Sequence, residues 1–203
     1  MIDEIARDVA VTRYGLADCL HVPIAAVDET AISTYVGEVQ RVLSGGAERK
    51  ALLVLARAPA PRDMRFPIWD VEGCDMLHEP LQVWVDVAYT RYRRAYRAAF
   101  PSEDLSGKVL SHAMSRRVAV LKGFRFVRLT PTSRAANSSS AFSEGWGVAL
   151  HSNPNQMAAN RRRGAFIQYA DLTELMLMLD LKLGGGAMDA VNEGQRLIRP
   201  RRA

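Results

Sequence analysis

The residues best suited to chemistry lie close together in Leu110-Ser111-His112-Ala113-Met114-Ser115-Arg116-Arg117. A neutral imidazole is a usable base at pH 7, since its unperturbed pKa is near 6.5. Helical spacing sets Arg116 one turn from His112 on the same side. A base beside a guanidinium suits phosphodiester hydrolysis, in which one group takes a proton from water, a cation holds the non-bridging oxygens, and a metal steadies the leaving alkoxide. Downstream, Asn137 follows a basic, apolar segment and His151 ends the next apolar stretch, so an amide and an imidazole are available to such a metal. Each residue also has a plainer use. His112 shares its expected helix with Val109, Met114 and Val118, where packing accounts for it, and Asn137 before three serines is by type a turn or cap residue.

The cations around this segment are unevenly distributed. The 203-residue chain has a formal net charge of +5, yet residues 1–90 carry 8 Lys and Arg against 14 Asp and Glu, whereas residues 91–203 carry 19 against 8. Between Arg91 and Arg134 stand 11 basic residues, opposed only by Glu103 and Asp104. Arginine supplies 23 of the 27 cations, and its planar fork fits phosphate bidentately. A GC-rich coding sequence would favour arginine over lysine but would not cluster it. Arg91, Arg93, Arg94, Arg97, Arg117, Arg125, Arg128 and Arg134 are therefore the candidate nucleic-acid contacts. The acidic N-terminal region is the candidate surface for a protein partner or for homo-oligomer formation.

Several classes are excluded or disfavoured. Cys19 and Cys74 allow at most one disulfide and no four-cysteine zinc site, which favours a reducing compartment. No apolar run reaches the roughly 20 residues that span a bilayer, and Met1-Ile2-Asp3-Glu4 has acid where a secretory signal needs base. A cytoplasmic protein with no membrane partner is expected. Asp70, Glu72, Asp75 and Glu79 read as a solvated loop, and Gly184-Gly185-Gly186 lacks the Gly-Lys-Ser/Thr ending of a phosphate loop.

The elements that must position these residues read as α+β and mainly helical. Three helices are expected in the first 58 residues: one over 2–10, one from Asp28 through Ile32, Tyr35, Val36, Val39, Val42 and Leu43, and one from Ala47 to Ala58. Prolines at 59, 61, 67 and 80 mark a connection, which divides a helical region 1–80 from a basic α+β region 81–203, unless the two form one continuous domain. Leu81 to Val87 fits strand and helix equally. Further helices are expected from Thr90 to Phe100, from Val109 to Lys122, from Asn153 to Arg163, and from Asp171 to about Leu183. Short strands are expected at 124–129, ended by Pro131, and at Trp146 to His151, with the polar run 132–140 as a turn between them.

Residues 105–151 resemble the HNH-type nucleases, including nuclease domains of bacterial polymorphic toxins, in the order histidine, arginine pair, strand with a Val-Arg-Leu core, then a short helix carrying Asn. The resemblance implies a metal-dependent nuclease of toxin-like kind, with His112 as general base and Asn137 as distal ligand or orienting residue at one Mg²⁺ or Mn²⁺; beside it, the residue reading gives Arg116 or Arg117 the phosphate. His151 is the further candidate ligand. Ser111 stands where many members have an acidic ligand, and paired zinc-knuckle cysteines are absent. Two alternatives use the same residues differently. One is a non-catalytic nucleic-acid-binding or regulatory protein, and the other a protein-interaction factor of a phage or mobile element.

Overall fold

The computed structural model describes residues 22–46, 49–57, 80–170, 172–178 and 180, and in them the chain builds an antiparallel sheet with helices laid on it. In chain order the elements are β1 (Pro23–Ala26), α1 (Glu29–Tyr35), β2 (Gly37–Gly46), β3 (Arg49–Ala56), β4 (Leu81–Asp86), α2 (Tyr92–Ala99), β5 (Lys108–His112), α3 (Arg116–Lys122), β6 (Phe126–Ser133), α4 (Arg134–Ser139), α5 (Ala141–His151), α6 (Pro154–Arg163), β7 (Ile167–Tyr169) and α7 (Leu172–Met178). The strands run β2-β3-β4-β6-β1-β7, with β5 paired to β6, and curl into half a barrel. The expectation of a mainly helical α+β protein is thereby overturned. Strands from both sides of residue 80 share this one sheet.

The region read as two helices is the β2–β3 hairpin. Ala51, Leu52 and Val54 are all fully buried and Leu53 is partly so, which covers both faces over 51–54, and the sequence Ala-Leu-Leu-Val-Leu-Ala shows no alternation of apolar and polar residues. Such a continuous apolar run is indistinguishable from a buried helix by periodicity. In β2 the register shifts between Val39 and Arg41 and again between Val42 and Ser44, and these irregularities break the period of two. Helix α1 starts as expected, with the Asp28 carboxylate accepting from Ala31 N at 2.7 Å. It stops at Tyr35 because Gly37 pairs at once with Ala56. A Cβ on Gly37 would lie 2.0 Å from the Leu55 carbonyl oxygen, so only glycine lets the two backbones meet there.

The second half departs from expectation at three places. The run read as one helix from Val109 to Lys122 is the strand β5 followed by α3, which ends at Gly123 with φ +89°. Strand β6 continues through Pro131 to Ser133. Beyond Arg128 it pairs on one side only among the described residues, with β5, and a proline without an N–H is tolerated in such a strand. Residues 132–140 complete β6 and form α4, and Trp146 to His151 belongs to α5 rather than to a strand. Helix α6 begins at Asn153-Pro154 as read, with the Asn153 amide oxygen accepting from Asn155 N. The Asp180 carboxylate fixes the far end of β6, accepting from Ser133 N and from the Thr132 hydroxyl at 2.9 Å.

Side-chain alternation divides the core between the two sheet faces. Ala51, Val83, Val85, Val127 and Leu129 pack with α2 and α3, while Leu52, Val54, Trp84 and Phe126 pack with α1. The expected helix over 2–10, the connection 59–79 with its acidic residues, both cysteines, the Asp171 capping box, Gly184 to Gly186 and the C-terminal tail lie outside the described residues.

Candidate nucleic-acid interface

Helix α2 sets the basic residues in place. Its sequence, Tyr92-Arg93-Arg94-Ala95-Tyr96-Arg97-Ala98-Ala99, turns Ala95 and Tyr96 into the core and rests Tyr92 and Ala99 against it. The remaining face is cationic. Arg93, Arg94 and Arg97, with Arg91 just before the helix, are exposed. Spacings of three and four bring Arg94 and Arg93 next to Arg97, with about 5–6 Å between Cβ atoms. Among the described residues none of these four arginines takes part in an ion pair. Of the flanking acids, Glu103 is exposed, and Asp104 accepts from the Ser106 hydroxyl and backbone N–H, which hold its carboxyl below the usual range.

A fifth cation joins them that the sequence reading missed. Arg41 of β2 donates to the Ala98 carbonyl at 3.2 Å, at the open C-terminal end of α2. It lies 57 residues upstream, in the acidic half, so local charge counting could not have associated it with α2. Only the packing of α2 against β2 does so.

The other candidate arginines are dispersed. Arg117 and Arg134 are exposed at the starts of α3 and α4. Arg125 is exposed but its Nε donates to the buried Asp86 carboxylate at 2.7 Å, and its guanidinium lies 5.7 Å from the centre of the Phe126 ring. Arg128 is wholly buried in the middle of β6, opposite Trp84, and cannot reach a phosphate on the surface. Its place in the Val-Arg-Leu segment made it read as a contact, and its burial makes it a core residue.

His112 ends β5, opposite Leu129, with the Tyr92 ring edge-on at 4.7 Å. Its Nε2 is buried and makes no hydrogen bond. Burial, and secondarily the nearby Arg116 guanidinium, pushes the imidazole down to about 4. His112 and Arg116 are thus neighbours as expected, but across a strand-to-helix turn rather than along one helix. Arg116 also reaches toward the Val87 carbonyl at 3.5 Å. Asn137 lies in α4, beyond Ser133, which pairs with Lys108 at the opposite end of β5 from His112. His151 ends α5, and its Nδ1 is 3.1 Å from the amide nitrogen of the buried Asn160. Among the described residues no three His, Cys, Asp or Glu side chains gather in a way that could hold a metal ion. No helix of the described residues is long and apolar enough to cross a membrane. No protein-family model, curated protein or solved structure matches the chain.

Proposed function

We propose that the chain binds nucleic acid through the arginine face of α2. The observation that carries this reading is the row Arg91, Arg93, Arg94 and Arg97, exposed and without an ion pair among the described residues. A helix face kept polar only for solubility mixes both signs. Like charges at a spacing of four instead cost a helix a few tenths of a kcal/mol. A row of phosphates would relieve that repulsion, and arginine holds them in forked pairs. The test is a binding titration of a labelled generic duplex at about 50 mM salt. The triple variant Arg93→Glu, Arg94→Glu, Arg97→Glu is expected to bind at least tenfold more weakly, while remaining folded because all three side chains are exposed. A wild-type protein with no affinity at that salt, or a triple variant with undiminished affinity, sinks the reading.

A second reading, the metal-dependent nuclease, draws support from one observation. The buried Nε2 of His112 has no hydrogen bond although a guanidinium stands beside it, and an orphaned polar atom in a native fold asks for an explanation. Plasmid DNA and structured RNA incubated with Mg²⁺ or Mn²⁺, and with chelator, decide it. If His112 is the base, His112→Ala lowers cleavage roughly 100-fold to 10,000-fold and leaves affinity unchanged. Binding without cleavage at every metal concentration leaves the non-catalytic reading.

A further inference from the structure

On the opposite face of the sheet from α2, two aromatic side chains stand out into solvent together. Tyr35 at the end of α1 is 52% exposed and Phe166, just before β7, is 56% exposed. Their rings stack, with centroids 5.9 Å apart and planes 17° from parallel. The chain neighbours Val36 and Ile167 are buried, so the rings rise from a filled core. The rest of the exposed end of α1 is polar, with Ser33 and Thr34 in solvent. A protein partner requires a broad surface, about 800 Å² on each side. Two stacked rings are far smaller than that and suit something small, flat and aromatic.

The cation beside them narrows its chemistry. The Arg57 guanidinium donates to the Ser33 and Thr34 carbonyls at 2.8 Å each, which fixes it at the end of α1 next to Tyr35. Two of its five N–H groups are used in this way, and Arg57 remains exposed. Arg57 and Glu38 share a shallow groove of about 550 Å³ with Ser33, Val39, Leu55 and Ala56. The groove therefore offers donors for an anion and one carboxylate acceptor for an amino or hydroxyl group.

We propose that Tyr35 and Phe166 form a stacking platform for an unpaired nucleobase of a single-stranded nucleic acid, with Arg57 meeting that nucleotide's phosphate. This rests on the nucleic-acid reading above. Stacking on aromatic rings accepts any base, because every base has a π face. The ring separation of 5.9 Å is less than two stacking steps of about 3.4 Å, so the base continues the pile from outside rather than entering between the rings. The edge strand β2 links the platform to the first surface. It starts two residues after Tyr35 and carries Arg41, at the end of α2, four residues or about 13 Å along the strand. A few nucleotides cover that path.

The experiment titrates the full chain with a single-stranded oligonucleotide containing 2-aminopurine and with a duplex of the same sequence. Tyr35→Ala or Phe166→Ala is expected to lower single-strand affinity roughly 5-fold to 150-fold, to remove the quenching of 2-aminopurine, and to leave duplex affinity unchanged. Tyr35→Phe is expected to retain both affinity and quenching, which separates stacking from any effect of the hydroxyl. The triple glutamate variant of α2 weakens both ligands and so reports on the earlier reading alone. If the two alanine variants match the wild type on the single strand while the triple variant fails, the platform is wrong and the α2 surface stands. Equal losses on single strand and duplex also overturn the platform. If the wild type binds neither, both readings fall together.

Discussion

His112 is held in a state that acid must disturb. Its imidazole is pushed down to about 4, against about 6.5 in an unfolded chain, so between these values the folded protein binds fewer protons than the unfolded one. Stability is complete above pH 6.5 and falls as the pH drops toward 4. By pH 5 the loss from this one group is about 2 kcal/mol. His112→Gln, which cannot titrate, is expected to remove that component. Urea unfolding at pH 7 and pH 5 checks this, and an unchanged difference between the two pH values in the variant would show that the imidazole is not buried as described. Asp180 acts in a lower range. Burial raises its carboxyl, but the N–H of Ser133 and the hydroxyls of Ser133 and Thr132 outweigh that and bring it below the usual value. Its contribution is present at neutral pH and is lost only as its carboxyl protonates below the ordinary carboxylate range, so it does not confuse the His112 measurement.

Among the elements, the step from α1 into β2 depends on a single residue. Gly37→Ala places a Cβ against the Leu55 carbonyl and the Ala56 Cα, backbone atoms that cannot move without opening the hairpin. A loss of about 3 kcal/mol or more is expected, against about 1 kcal/mol for the cap variant Asp28→Ala. Thermal melts of the two variants side by side test that ranking. The same stretch shows what the sequence could convey. The Asp28 cap, the Gly123 stop and the Asn153-Pro154 start were legible because each is a local hydrogen bond or a local φ preference. The hairpin was not, since Ala51 to Val54 is an unbroken apolar run with Ala51, Leu52 and Val54 buried and Leu53 partly so, and β2 breaks its own alternation. Strand β5 was misread for a related reason: five residues with helical spacing are held extended by β6, a partner about 20 residues away. Of the candidate site, the α2 arginines were legible as a run of charge. Arg41 and the Tyr35–Phe166 stack were not, because each pairs residues that only the folded sheet brings together.

For the whole molecule, the distribution of charge predicts how binding responds to salt. Each phosphate neutralised releases counterions and adds about 0.9 to the slope of log affinity against log salt. If Arg93, Arg94 and Arg97 each hold one, the triple glutamate variant loses about 3 units of that slope. Arg125→Ala, which removes a guanidinium already held by Asp86, is expected to change it little. Affinities measured from 50 to 200 mM salt give both slopes, and a triple variant with the wild-type slope would place the contacts elsewhere. The sheet's connectivity has a further consequence, for the order in which the chain can mature. Strand β1 finds its partners at Phe126–Val127 and at Ile167–Tyr169, about 100 and 140 residues later. Until the ribosome has released those strands, Ile24, Ala25 and Ala26 lack the partners they have among the described residues. At about 5–20 residues per second they wait several seconds or more, and loops of this length close slowly. From the emergence of β1 until β7 follows it, the nascent chain therefore carries an apolar segment without the strand partners of the folded sheet, and translation of the intervening stretch of about 140 residues sets how long that exposure lasts.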